Sequence, residues 1–91
     1  MTTAGGYIKD PAAVLDYSVD WSEWLDGDTV ASSAWTVPTG VTMTLSSHTD
    51  TVATAWISGG TAGTNYTIRN TVTTAAGRTD VRSIILKVRA R

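Results

Sequence analysis

The feature that most constrains this chain is a two-residue alternation of apolar and polar side chains. It is clearest at Val14-Leu15-Asp16-Tyr17-Ser18-Val19-Asp20-Trp21, where Leu15, Tyr17, Val19 and Trp21 fall on one face and Asp16, Ser18 and Asp20 on the other. Successive side chains alternate across a strand but return every three or four residues on a helix, so this stretch buries one face only as a strand. The alternation recurs down the chain. Ala31, Ser33, Trp35 and Val37 share a face, and Val41, Met43 and Leu45 alternate with polar residues, mostly threonines. Residues 52–58 carry Trp56 among strand-forming residue types. Tyr66, Ile68, Asn70 and Val72 oppose Thr67, Arg69, Thr71 and Thr73, and Ile84, Leu86 and Val88 are predicted inward with Ser83, Ile85 and Lys87 outward. A short edge strand is predicted at residues 7–10, set apart by Pro11, which cannot donate to a ladder.

Turn formers punctuate these stretches: Asp26-Gly27-Asp28, Pro38-Thr39-Gly40, the polar residues 46–51, Gly59-Gly60-Thr61-Ala62-Gly63 and the hairpin-like Ala75-Ala76-Gly77-Arg78. The helical candidate is a single turn at residues 21–25. Strands at spacings of roughly 8–12 residues with turns between them predict an all-β fold, an immunoglobulin-like β-sandwich of about seven antiparallel strands. Two residues are predicted to serve that architecture structurally. Trp35 stands mid-strand where such domains bury an indole, and Tyr66 opens a strand after a bend, the place of a tyrosine corner whose hydroxyl bonds back to loop backbone. Trp56 is expected in the core beside Trp35. Residues 1–8, rich in Gly and Thr, are predicted to be a flexible N-terminal arm, with the domain over 9–91.

A chain of 91 residues supports one domain with a thin core, and 42% hydrophobic with 16% charged residues is a globular composition. The absence of cysteine excludes disulfides and Cys-based zinc sites. The N-terminus lacks a basic segment followed by an apolar run, and no apolar stretch reaches the about 20 residues of a membrane helix. The expectation is a soluble protein made in a cytoplasm. Charge is unevenly placed: residues 1–50 hold one base and seven acids, net −6, and residues 51–91 hold six bases and one acid, net +5. Either the halves interleave and neutralise each other across strands, or one face is acidic and another basic, which suits head-to-tail packing in a ring.

No motif carries catalysis. Ser47-His48-Thr49-Asp50 has the letters of a hydrolase triad, but adjacent residues do not assemble one, and His48 is the lone histidine. The glycine-rich loop at residues 59–64 lacks the Gly-Lys-Ser/Thr ending and joins two strands, so it is not a phosphate loop. Asn65-Tyr66-Thr67 is formally a glycosylation sequon, with no secretory route to use it. Asp20, Glu23, Asp26 and Asp28 form an acidic cluster, weak candidates for calcium, since their spacing matches no complete EF-hand loop. The late basic residues Arg78, Arg82, Lys87, Arg89 and Arg91 have no stacking aromatics among them, and with a pI near 5.5 no nucleic-acid partner is expected. No cofactor, no resident metal and no membrane partner are expected either. For protein contact the candidates are Trp24, in the connecting turn, and Tyr7 and Ile8 near the N-terminus. Trp24 reads equally as a lid on the core or as an interface anchor.

The order of several segments resembles a known family. These are Lys9-Asp10-Pro11, Leu15-Asp16-Tyr17, Asp20-Trp21-Ser22-Glu23-Trp24-Leu25 and Gly27-Asp28-Thr29-Val30, then Trp35-Thr36-Val37-Pro38 with Gly40. Trp56-Ile57-Ser58-Gly59-Gly60-Thr61-Ala62-Gly63 with Tyr66 and Gly77-Arg78-Thr79-Asp80 before Arg82-Ser83 complete the series. Together they look like the small fiber–tail adaptor proteins of tailed bacteriophages and prophages, over nearly the whole chain. The resemblance implies a non-enzymatic virion structural protein, made in the bacterial host cytoplasm and placed in the fiber–tail or head–tail region. It would contact other phage structural proteins and copies of itself in a ring or at a vertex. It brings no catalytic residues. The alternative is a capsid decoration or host-surface adhesion module that binds a glycan or protein through Trp24 and nearby aromatics.

Overall fold

Wherever the period-two pattern holds, the chain forms a strand, because burying one pleated face leaves the other to water. The computed structural model describes residues 2–90, with side chains from residue 6 onward. The elements run β1 (Thr2–Lys9), β2 (Leu15–Asp20), a one-turn helix α1 (Ser22–Leu25), β3 (Val30–Thr36), β4 (Val41–His48), β5 (Val52–Gly59), β6 (Asn65–Thr74) and β7 (Thr79–Val88). Hydrogen bonding joins them into a four-stranded sheet, β1-β7-β6-β3, and a three-stranded sheet, β2-β5-β4. The two sheets form an immunoglobulin-like sandwich. Among the described residues no helix is long and apolar enough to cross a membrane.

The core lies between the sheets. Ile68, Val72, Ile84, Leu86 and Val88 face it from one side, and Tyr17, Val19, Val41, Ala53, Ala55 and Ile57 from the other. Trp21, just beyond β2, is completely buried and closes one end together with Leu25 and Val30. Its indole Nε1–H donates to Asn70 Oδ1 at 2.9 Å, crossing from one layer to the other. Asn70 is itself buried, and its amide donates to Ser33 Oγ and the Ala34 carbonyl at 2.8 and 3.1 Å. One side chain thus ties Trp21 to β3 through β6, with its polar groups satisfied as a buried amide requires.

Four expectations about side-chain placement need correction. The fully buried indole is Trp21; Trp35 is half-buried against the core, and its Nε1 is enclosed without a hydrogen-bond acceptor among the described residues. Trp56 is not in the core but 38% exposed, because Ala53, Ala55 and Ile57 take the inward positions of β5 and the alternation turns residue 56 outward. A bulge between Met43 and Leu45 shifts the register of β4, and Leu45 emerges on the outer face at 61% exposure. Ser83, predicted outward, is buried in the middle of its sheet, flanked in register by Thr3 and Arg69. Thr2–Lys9 is β1 and pairs with β7. That pairing is parallel, whereas the other four are antiparallel. The free edge of β7 supplies unpaired backbone groups, a ready template for a chain end with no strong pattern of its own.

Lys9 fixes the end of β1. It is buried, and its ammonium donates to the Asp10 carbonyl at 2.8 Å and to the Gly59 carbonyl at 2.7 Å. Burial lowers its pKa below 10.5, and neighbouring Asp10 partly opposes that shift. The Arg89 amide returns to the Lys9 carbonyl at 2.9 Å, so β1, β5 and the end of β7 meet at this residue.

Candidate interaction surfaces

The acidic corner of the sequence and its late arginines come together. Trp21 and Trp24 stack edge to face at 5.2 Å across α1. Arg82 lies over the Trp21 ring at 4.3 Å and donates to the Asp20 carbonyl at 2.9 Å. Arg78 lies over the Trp24 ring at 4.4 Å. Its remaining donors reach Asp28 Oδ2 at 3.2 Å, the Leu25 carbonyl at 2.6 Å and the Trp24 carbonyl at 3.3 Å. Carbonyls at a helix end carry partial negative charge, and the planar guanidinium answers two of them and a carboxylate at once. The left-handed backbone of Asp26 and Gly27 turns the chain so that this is possible. Trp24 is held between an indole and a guanidinium, half-buried and packed against the core.

This arrangement decides what the acidic cluster can do. Asp20 Oδ1 accepts the Ser22 amide at 2.9 Å, a bond that lowers its pKa. Asp28 accepts the amides of Thr29 and Ala76 besides Arg78. Asp20, Glu23, Asp26 and Asp28 do not converge: among the described residues no three acidic or metal-ligating side chains group to hold an ion. A shallow, open depression lined by Leu25, Asp26, Gly27, Asp28, Ala76 and Arg78 opens here. Its cation has all three guanidinium nitrogens engaged, so it offers no anion site.

Asp28 has a pH signature. Its pKa lies below 3.8, held down chiefly by a hydrogen bond from the Thr74 side chain and further by the Thr29 amide, Arg78 and the Ala76 amide. A carboxylate with a depressed folded-state pKa stabilises the fold above its ordinary value, and that stabilisation is lost as pH falls through the folded value. Asp28→Asn is expected to lower the melting temperature at pH 7 and to flatten its decline below about pH 4. Parallel melting-temperature profiles for the two proteins from pH 7 to pH 2 would contradict this role.

The loop motifs tested for chemistry are occupied internally. His48 is exposed, with Nδ1 3.0 Å from the Thr49 carbonyl. In the glycine-rich loop between β5 and β6, the Gly63 amide donates to Val88 and the Thr64 amide to Thr61. The Thr61 amide donates to the Tyr66 hydroxyl at 2.9 Å, and the tyrosine pKa is lowered chiefly by a bond with the Thr61 side chain and then by this amide. No fan of amides faces an anion.

Several large apolar side chains are exposed on the sheets. Trp56 pairs in register with exposed Leu45 on β4 and with Asp16 on β2. On β1, Tyr7 is 40% and Ile8 55% exposed, and the Tyr7 ring leans on Tyr17 at 5.1 Å. Exposed aromatic and aliphatic groups on strands suit protein contact. The sequence reading missed Trp56 as a surface residue. The parity of β5 held the signal, because Ala53, Ala55 and Ile57 already form a complete apolar face without it.

The family described as Podophage GP4 fiber-tail adaptor protein gp77 matches residues 9–87. No curated protein matches the chain. Among solved structures, the PKD domain from KIAA 1837 protein is similar with a TM-score of 0.54 and 19% identity, over 100% of this chain and 83% of that one. The cysteine protease inhibitor EhICP2 from Entamoeba histolytica is similar with a TM-score of 0.53 and 8% identity, over 93% and 87% respectively. At such identities these two show a shared fold alone.

Proposed function

Because this chain belongs to the podophage fiber-tail adaptor family, we propose that it joins virion parts at the fiber–tail junction by protein–protein contact, without catalysis. The observation that carries this reading is the match over residues 9–87 combined with exposed apolar residues on the strands: Trp56 and Leu45 on one sheet, Ile8 and Tyr7 on the other. The chemistry of the surface agrees with a connector. Asp28, Arg78 and Arg82 at the α1 corner are spent on internal bonds, and the exposed apolar groups of the strands are of the kind that buries well against another protein. The protein is synthesised in the bacterial host and carried in the virion, where its partners are other phage structural proteins.

β1 is the second element suited to this role. It runs parallel on β7 as the outermost strand of its sheet, so its outer edge is open for a strand of a neighbouring protein. Residues 2–8 act here as an arm that is seated on its own sheet and serves a neighbour with its outer edge.

Particles assembled with the gene silenced test the proposal. Quantitative mass spectrometry is expected to find capsid and tail-tube proteins at their usual ratio and fiber protein reduced at least about ten-fold. Fiber protein at wild-type stoichiometry in such particles would refute it.

A further inference from the structure

Each sheet turns one sign of charge to solvent. The strands of the three-stranded sheet contain Asp16 and Asp20 and neither lysine nor arginine. Asp16, Trp56 and Leu45 are in register and all exposed, so a carboxylate, an indole and an aliphatic side chain form one row across the outer face. The four-stranded sheet presents the opposite sign. Lys87 is in register with Ile8 on one side and Asn65 on the other, and all three are exposed. Arg69, also exposed, is in register with Thr36 on the same face. The acid in these strands, Asp80, is in register with buried Val72 and so lies off that row, while Arg82 is turned to the Trp21 ring.

We infer that the acidic face centred on Trp56 docks on the basic face around Ile8 and Lys87 of a second copy of this chain. The contact is heterologous, and it repeats from copy to copy into a ring or a stack. It deepens the adaptor reading and rests on it for its setting in the virion. Charge complementarity selects the pairing: acidic face on acidic face would set Asp16 and Asp20 against their own kind, and basic on basic would do the same with Arg69 and Lys87. Each face also carries an exposed apolar centre, Trp56 with Leu45 on one and Ile8 on the other. The domain extends 42 × 22 × 19 Å, so its broad faces are of the size that a standard interface buries, about 800 Å² per partner. The two halves of the chain therefore neutralise each other twice, inside at the Arg78–Asp28 pair and between copies at the sheet faces.

Sedimentation velocity of the full chain at about 0.01 M salt, where charges act on one another over about 30 Å before screening takes over, tests this pairing. The wild type is expected to self-associate, and to do so less as salt is raised. Asp16→Lys and Lys87→Glu are each expected to weaken association at least about ten-fold while circular dichroism stays unchanged. An equimolar mixture of the two variants is expected to associate again, because the basic face of the first is intact and so is the acidic face of the second. Trp56→Ala is expected to weaken association without altering charge. A wild type that stays monomeric up to about 1 mM, or single variants that associate as it does, would overturn the inference, as would a mixture no better than its parts. Virion content separates this failure from the other: a monomeric chain still present in particles leaves the adaptor reading standing, whereas a chain absent from particles removes that reading itself.

Discussion

Trp21→Ala is expected to leave this domain unfolded, or nearly so, at 37 °C. Removing a fully buried large aromatic side chain costs about 3–5 kcal/mol. The substitution also takes the indole donor from Asn70 Oδ1, and a buried acceptor left unmatched adds about 1–3 kcal/mol. A domain of this size has on the order of 5–14 kcal/mol in total, so most of its stability is at stake. Trp21→Phe keeps much of the packing and isolates the hydrogen bond, at about 1–3 kcal/mol. Trp56→Ala, on the outer face, is expected to stay within about 1 kcal/mol of wild type. Urea unfolding of the three variants checks the ranking, and a Trp56→Ala loss matching that of Trp21→Ala would show the two indoles misassigned.

Gly60→Ala is expected to be nearly as damaging, although it adds one methyl group. Gly60 has φ +103, where a side chain is strained, and a Cβ there would stand 2.7 Å from Val88 Cγ2. Val88 is fully buried at the end of β7 and has no room to retreat. Strain and overlap each cost about 1–3 kcal/mol. Gly40, at φ +110, approaches the opposite edge of the Tyr66 ring, where a Cβ would meet Cε1 at 2.8 Å. The two glycines clasp the tyrosine whose hydroxyl accepts the Thr61 amide. By contrast Gly63→Ala, with open space around its Cβ, is expected to show only the backbone penalty. Thermal melts of the three variants should therefore rank Gly63→Ala mildest; equal losses would mean that backbone strain alone governs this corner.

Strand positions and their inward faces were legible because two-residue periodicity reports burial directly. Tyr17, Val19, Ile68, Val72, Ile84 and Leu86 could be placed inside from their spacing alone. Periodicity does not report which of two tryptophans finds a polar partner across the core. That depended on Asn70, a residue whose place among inward positions was visible but whose hydrogen bonds were not. Leu45 escaped because a bulge inserts one residue and inverts every face beyond it. β1 was hidden for another reason: its seat is made by the edge of β7, eighty residues away in sequence, and not by a pattern in residues 2–8. At the candidate surfaces, the charge split was plain in the sequence, but its division between internal ion pairing and sheet faces required the register.

Arg82 packs over Trp21 and Arg78 over Trp24, so these arginines and indoles are engaged with one another at the α1 corner. Imaging of wild-type particles at a resolution that separates strands tests the adaptor account most directly. It predicts seven-stranded sandwich density at the junction between tail and fibers, with outer sheet faces buried against neighbouring chains. Sandwich density found only on the capsid shell, with none at that junction, would contradict it.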